Sequence, residues 1–260
     1  MINFIAGGMM GDFIHSLYAV KNICEQKADK ANLYLSDGDG DVWKFGLQRT
    51  HDDLNDLIMS QPYINSFNIC KMSEFKESFI NLNDWRRILR HTDAGYENCW
   101  SDVLSECYGF SIPPDYKWLN AKPNETVSGK ILIHKSTHRH NPEFPWAKIL
   151  NNLNDDILFL TSNSDEWDKF QFKSAKIKLH HVSTITEMAS AIGSCKAFIG
   201  NQSAPAALAC ALDVQRLVEL DADPSKFYMD ETKYSNNVSW FLNCSNKFLT
   251  KTLIDLTGQL

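Results

Sequence analysis

Short apolar runs alternate along this chain with longer segments whose apolar positions recur at helical spacing. Residues 2–6 form the first run, a buried-strand candidate. The turn GGMMGD leads from it into an apolar-periodic helix over 13–25, with Asp12 in the N-cap position. Further strands are predicted at 32–35, 66–69 and 78–82. Between them, the segment starting at His51 reads as a helix stopped near Pro62, and 97–108 as an aromatic-rich helix ended by Gly109. Pro113-Pro114 and KPNETVSG (122–129) read as a linker. The rhythm then restarts, with strands at 130–134, 157–161, 175–179, 197–199 and 216–220. Helices are predicted at 145–153, 165–170, 186–192, 205–212 and, last, 247–256.

Strands and helices that alternate at these lengths build parallel sheets. Two glycine-bearing turns punctuate the pattern, GGMMGDFIHSLYAV at 7–20 and AFIGNQSAPAALACAL at 197–212. Each follows an apolar run and opens a helix, the arrangement by which α/β proteins hold phosphates and place catalytic groups. The expected fold class is α/β, with two Rossmann-like domains facing across a cleft. In this reading residues 1–125 form the first domain, 126–245 the second, and 246–260 a C-terminal helix.

Composition narrows this picture. At 260 residues and 43% hydrophobic, the chain has enough apolar material for one large core or two modest ones. Its longest purely apolar stretch falls far short of the ~20 residues of a membrane span, and the N-terminus has no basic leader, so a cytoplasmic location is expected. Seven cysteines without a CxxC pair suggest buried thiols rather than a disulfide framework or a zinc site. His134, His138 and His140 have no accompanying carboxylate cluster, and no metal is expected. A net charge of −6 disfavours a protein that grips nucleic acid through its overall field, although Arg86, Arg87 and Arg90 at helical spacing offer a small basic face.

The second turn offers an anion site. Ser203 stands at a helix N-terminus with free backbone N–H groups, its hydroxyl and the Asn201 and Gln202 amides are further donors, and Pro205 suits the first helical turn. Gly200 and Ala204 flank these donors. In HKSTHRHNPEFPW, Lys135 and Arg139 project from a loop at a strand end, where a guanidinium suits bidentate phosphate contact and Trp146 packs beneath. Glu219, ending a strand, is placed to hydrogen-bond a ribose or else to lie on the surface. Asp12 is read either as a helix cap or as a general base.

The string GDFIHSLYAV resembles the N-terminal turn of the bacterial heptosyltransferase family, glycosyltransferase family 9, and FIGNQSAPAALACALDV resembles that family's C-terminal signature. The resemblance implies the GT-B fold, a nucleotide-diphosphate sugar as donor with no further cofactor, and metal-independent inversion at the anomeric carbon. By the same resemblance Asp12 is the base, with Gly8, Gly11 and His15 beside it at the substrate. The chain departs from the family pattern where Gln202 replaces an acid, Ala204 a glycine and Ala207 a histidine. The expected acceptor is a saccharide, or a hydroxymethylated base in DNA if the enzyme is virus-encoded. A non-catalytic nucleotide-sugar binder and a nucleotide-sugar epimerase are the alternatives.

Overall fold

A computed structural model of the chain describes residues 1–37, 43–86, 100–111, 117–221 and 238–241. The predicted helix at 247–256, most of the DGDGD loop, Pro113-Pro114, and Arg87 and Arg90 lie outside the described residues. The chain divides into two compact units, with the boundary between Ala121 and Lys122.

The first unit is built on four parallel strands, β1 (Ile2–Ala6), β2 (Ala31–Leu35), β3 (Ile64–Ile69) and β4 (Ile80–Asn81), in the order β3-β2-β1-β4. Helix α1 spans Met10–Gln26, starting earlier than the sequence indicated. Met9 is at the cap position without a side-chain cap bond, so Asp12 is not the N-cap. It stands inside the first turn, where a carboxylate still complements the helix dipole. Helices α2 (Leu47–Met59) and α3 (Trp100–Tyr108) follow among the described residues, and Gly109 ends α3 at φ 69°, a left-handed conformation that costs glycine little. The chain then returns to α1. The Trp118 indole is 1% exposed and donates to the Ile14 carbonyl at 2.8 Å, while the Tyr63 hydroxyl donates to the Trp118 carbonyl at 2.8 Å.

The second unit carries six parallel strands, β5 (Ile131–His134), β6 (Ile157–Thr161), β7 (Ile177–His181), β8 (Ala197–Asn201), β9 (Arg216–Glu219) and β10 (Val238–Phe241), in the order β10-β9-β8-β5-β6-β7. Strand β10 had no counterpart in the sequence reading. The helices are α4 (Trp146–Asn152), α5 (Ser164–Lys169), α6 (Ile185–Ser194) and α7 (Ala204–Ala211). Thr184 and Glu187 close a reciprocal capping box that fixes the start of α6. Strands β5, β6 and β8 are buried throughout, as expected for a parallel sheet covered on both faces. Ile131, Ile133, Ile149, Phe159, Ile199 and Leu217 pack in one core cluster, each such side chain contributing about 1.5–3 kcal/mol by leaving water. The stretch read as a linker contains a short 3₁₀ turn, Glu125–Val127, whose Val127 is fully buried.

In both sheets the chain order reverses beside the first strand. It runs β1, β2, β3 and then back to β4, and β5, β6, β7 and then back to β8. Ligands of open α/β sheets collect at the carboxyl ends of strands flanking such a reversal.

Candidate functional site

At the reversal in the first unit, the element after β1 meets the element after β4. The Arg86 Nη2 donates to Asp12 Oδ2 at 2.8 Å, with both side chains mostly buried, and the Arg86 guanidinium lies 4.9 Å from the centre of the Trp85 ring. Arg86 is therefore tied to the Asp12 carboxylate rather than standing on a free basic face. Gly8 is buried in the turn, and Gly11 lies within α1. His15 falls one turn further along, on the inner face of the helix. It is 8% exposed and stacks on Trp100 at 4.8 Å with planes 11° apart. His15 is thus packed into an aromatic cluster at the inner face of α1.

At the reversal in the second unit, the loop after β5 is held by residues at the ends of β8 and β9. Asn201 is fully buried. Its amide donates to the His138 carbonyl at 2.6 Å and to Ser136 Oγ at 3.0 Å, while its Oδ1 accepts the Ser136 N–H at 2.9 Å. The Arg139 carbonyl is a further acceptor at 3.3 Å, and Arg139 itself sits at φ 58°, a region non-glycine residues seldom adopt. The Asn201 amide, expected at a phosphate, is spent on shaping this loop.

Glu219 is also fully buried, so it does not lie on the surface. Its Oε1 accepts the Asn141 N–H at 2.8 Å, its Oε2 accepts the Trp146 indole N–H at 2.9 Å, and the Lys135 Nζ donates to both oxygens at 3.3 and 3.2 Å. The Lys135 ammonium also donates to His140 Nδ1 at 3.1 Å and lies 5.4 Å from the centre of the Trp146 ring. That bond requires an unprotonated Nδ1 on His140, because ammonium only donates.

Gly200 owes its identity to packing. A Cβ there would stand 2.8 Å from the Phe198 ring and 2.9 Å from the His134 carbonyl oxygen of the neighbouring strand. Beyond it, Ser203 occupies the cap position of α7, and its hydroxyl donates back to the Asn201 carbonyl at 3.0 Å. Ala204 is the first helical residue. Pro205 follows in the first turn, where it lacks an N–H and so removes one potential donor. Gln202 accepts the Asp221 N–H at 3.4 Å.

Beside this loop lies a cavity of about 500 Å³, lined among others by Lys135, His140, Trp146, Glu166, Lys169 and Phe172. Glu166 was not singled out from the sequence. Thr161, at the end of β6, orients it with a 2.6 Å hydrogen bond, while the Asn163 N–H donates to the same Thr161 hydroxyl at 2.9 Å. His134 Nδ1 is 2.9 Å from the Leu160 carbonyl and 4.0 Å from Glu166. Burial pushes the His134 imidazole below its ordinary pKa, with Glu166 and the carbonyl pulling the other way. Among the described residues no three His, Cys, Asp or Glu side chains converge as a metal cage, and no helix is long and apolar enough to cross a membrane.

Two sheets with these reversals define a fold of the GT-B type. Among solved structures, the chain is similar to E. coli heptosyltransferase WaaC with ADP, at 13% identity, with 92% of each chain covered and a TM-score of 0.60. It is similar also to E. coli ADP-heptose lps heptosyltransferase II, at 11% identity over 99% of this chain and 98% of that one, TM-score 0.56. A glycosyl transferase family 9 protein from Veillonella parvula DSM 2008 matches at 11% identity over 92% and 85%, TM-score 0.57. No protein-family model matches the sequence, and no curated protein matches it.

Proposed function

We propose that this protein is an inverting, metal-independent glycosyltransferase that uses a nucleotide-diphosphate sugar. The observation that carries the reading is that, at the chain reversal of the second sheet, Asn201, two residues before the α7 cap residue Ser203, holds the backbone of the loop that carries Arg139 and Lys135, with Lys135 paired to the buried Glu219. Backbone N–H groups and the helix dipole at Ala204 would receive the diphosphate, with Arg139 and Lys135 balancing its charge. The likeness to heptosyltransferases of known fold supports the same reading.

In the reaction, an acceptor hydroxyl oxygen attacks the anomeric carbon, the bond from that carbon to the phosphate oxygen breaks, and the nucleoside diphosphate leaves from the opposite face. Asp12 takes the hydroxyl proton as general base. Its Oδ2 is held by Arg86, leaving Oδ1 for the acceptor. A saccharide is favoured over DNA as acceptor, since Arg86 is committed to Asp12.

The test begins with calorimetric titration of nucleoside diphosphates, followed by transfer and hydrolysis assays across their sugars. Binding with turnover supports the enzyme. Binding without turnover on any donor favours the non-catalytic binder, and no binding removes both.

A further inference from the structure

Glu219 is a buried carboxylate at the end of β9. Leu217, Val218 and Leu220 around it are buried, and a strand in this position could be apolar throughout. A buried ionised acid is tolerated only where it is paired and hydrogen-bonded. The donors the structure gives Glu219 are the Lys135 ammonium and the Asn141 N–H, from the connection between β5 and α4, and the indole of Trp146, the first residue of α4. The acid therefore does one thing, which is to fix this connection from beneath. All three donor residues line the cavity, and Lys135 is the one of them that brings a cation to it, with its side chain 21% exposed. A lysine in water samples many rotamers. Here the ammonium is kept at one place on the cavity wall, between Glu219, His140 and the Trp146 ring.

We propose that Glu219 is a positioning residue for the donor's phosphates: it holds Lys135 and the Asn141 backbone so that the 135–144 loop is built before ligand arrives. This rests on the nucleotide-diphosphate reading above. Such preorganisation raises affinity by removing the cost of ordering the loop on binding.

The test uses the full chain, with ADP, GDP, CDP and UDP and the matching nucleosides titrated calorimetrically. Against the diphosphate that binds best, Glu219→Gln is expected to weaken affinity about tenfold or more, the scale of one charge-assisted hydrogen bond. Affinity for the nucleoside alone should change less than about twofold. Lys135→Met should lose a similar amount of diphosphate affinity and also melt earlier, because it strands the buried Glu219 charge. The double variant Glu219→Gln with Lys135→Met removes both partners. Its melting temperature should recover relative to Lys135→Met while its diphosphate affinity stays low. A purely structural tie would restore affinity together with stability, and that outcome overturns the proposal. So does Glu219→Gln binding the diphosphate as the wild type does, which leaves the nucleotide reading intact. If the wild type binds none of the four diphosphates, the nucleotide reading fails and the positioning role falls with it.

Discussion

Asp12 and Arg86, 74 residues apart in the chain, meet at 2.8 Å because the strands that precede them, β1 and β4, are neighbours at the reversal of the first sheet. The pair fixes the Asp12 carboxylate at the sheet's carboxyl edge. Asp12→Asn keeps an oxygen for the arginine but has no carboxylate to accept a proton. Sugar transfer is expected to fall by ~10²-fold or more, while donor affinity and melting temperature stay near wild type. Full activity in this variant would place the base elsewhere. Arg86→Met is the complementary change. It strands a mostly buried carboxylate and should cost about 1–3 kcal/mol in urea unfolding, between the values for exposed and buried pairs.

Gly200 gives a test of the second sheet. Alanine there places a methyl group against the Phe198 ring and the backbone of β5, and the carbonyl cannot move without breaking strand pairing. Gly200→Ala should destabilise the protein by about 1–3 kcal/mol, the usual cost of overpacking a filled core. A melting temperature equal to wild type would mean that both the Phe198 ring and the β5 backbone at His134 can give way.

The strand rhythm was legible because buried parallel strands are continuous apolar runs; β1 and β6 have the predicted bounds, and the other predicted strands differ by one or two residues at an end. The two turns were legible from glycine and proline. The roles inside them were not. Asn201 and Gly200 have the residue types of a phosphate turn, yet the loop that Asn201 holds and the His134 carbonyl against Gly200 lie more than 60 positions away in sequence, and the pairing of β8 with β5 brings them together. Glu219 did carry a signal. An acid between Leu217-Val218 and Leu220 at a buried strand's end must be enclosed, and an enclosed acid needs cations and N–H donors. Met9 hid the start of α1, since methionine is not a capping residue and the polar Asp12 stood three positions on.

The pH dependence of folding should report His134. Its Nδ1 carries the proton given to the Leu160 carbonyl, and burial lowers the pKa of the ring. An unfolded chain takes up a proton near pH ~6.5, whereas the folded chain resists until a lower pH. Between those values the unfolded state binds more protons, so stability falls as pH falls. The loss runs at up to about 1.4 kcal/mol per pH unit and stops once folded His134 protonates. His134→Asn keeps a donor near Nδ1 without titrating. Stability measured from pH 7.5 to 5 should decline more steeply for wild type than for this variant. His180, shifted in the same direction by burial and Lys130, is present in both and cancels. Parallel curves would sink the assignment.

Asn201 separates loop shape from local charge. Its Nδ2 donates toward the His138 and Arg139 carbonyls and its Oδ1 accepts from the Ser136 N–H, so the side chain must be an amide in one orientation. Asn201→Asp has nearly the same size but turns the donor into an acceptor facing carbonyl oxygens in a site without solvent. Breaking those bonds and burying an unpaired charge should cost about 3 kcal/mol or more. Asn201→Ala removes the donor without adding charge, and water entering the space could satisfy the freed carbonyls; about 1–3 kcal/mol is expected. The order of the two variants is the sharp outcome. If Asn201→Asp proves no worse than Asn201→Ala at neutral pH, the amide is not the clamp of the 135–144 loop. If it is worse and recovers on acidification, the carboxyl takes a proton and donates where the amide did.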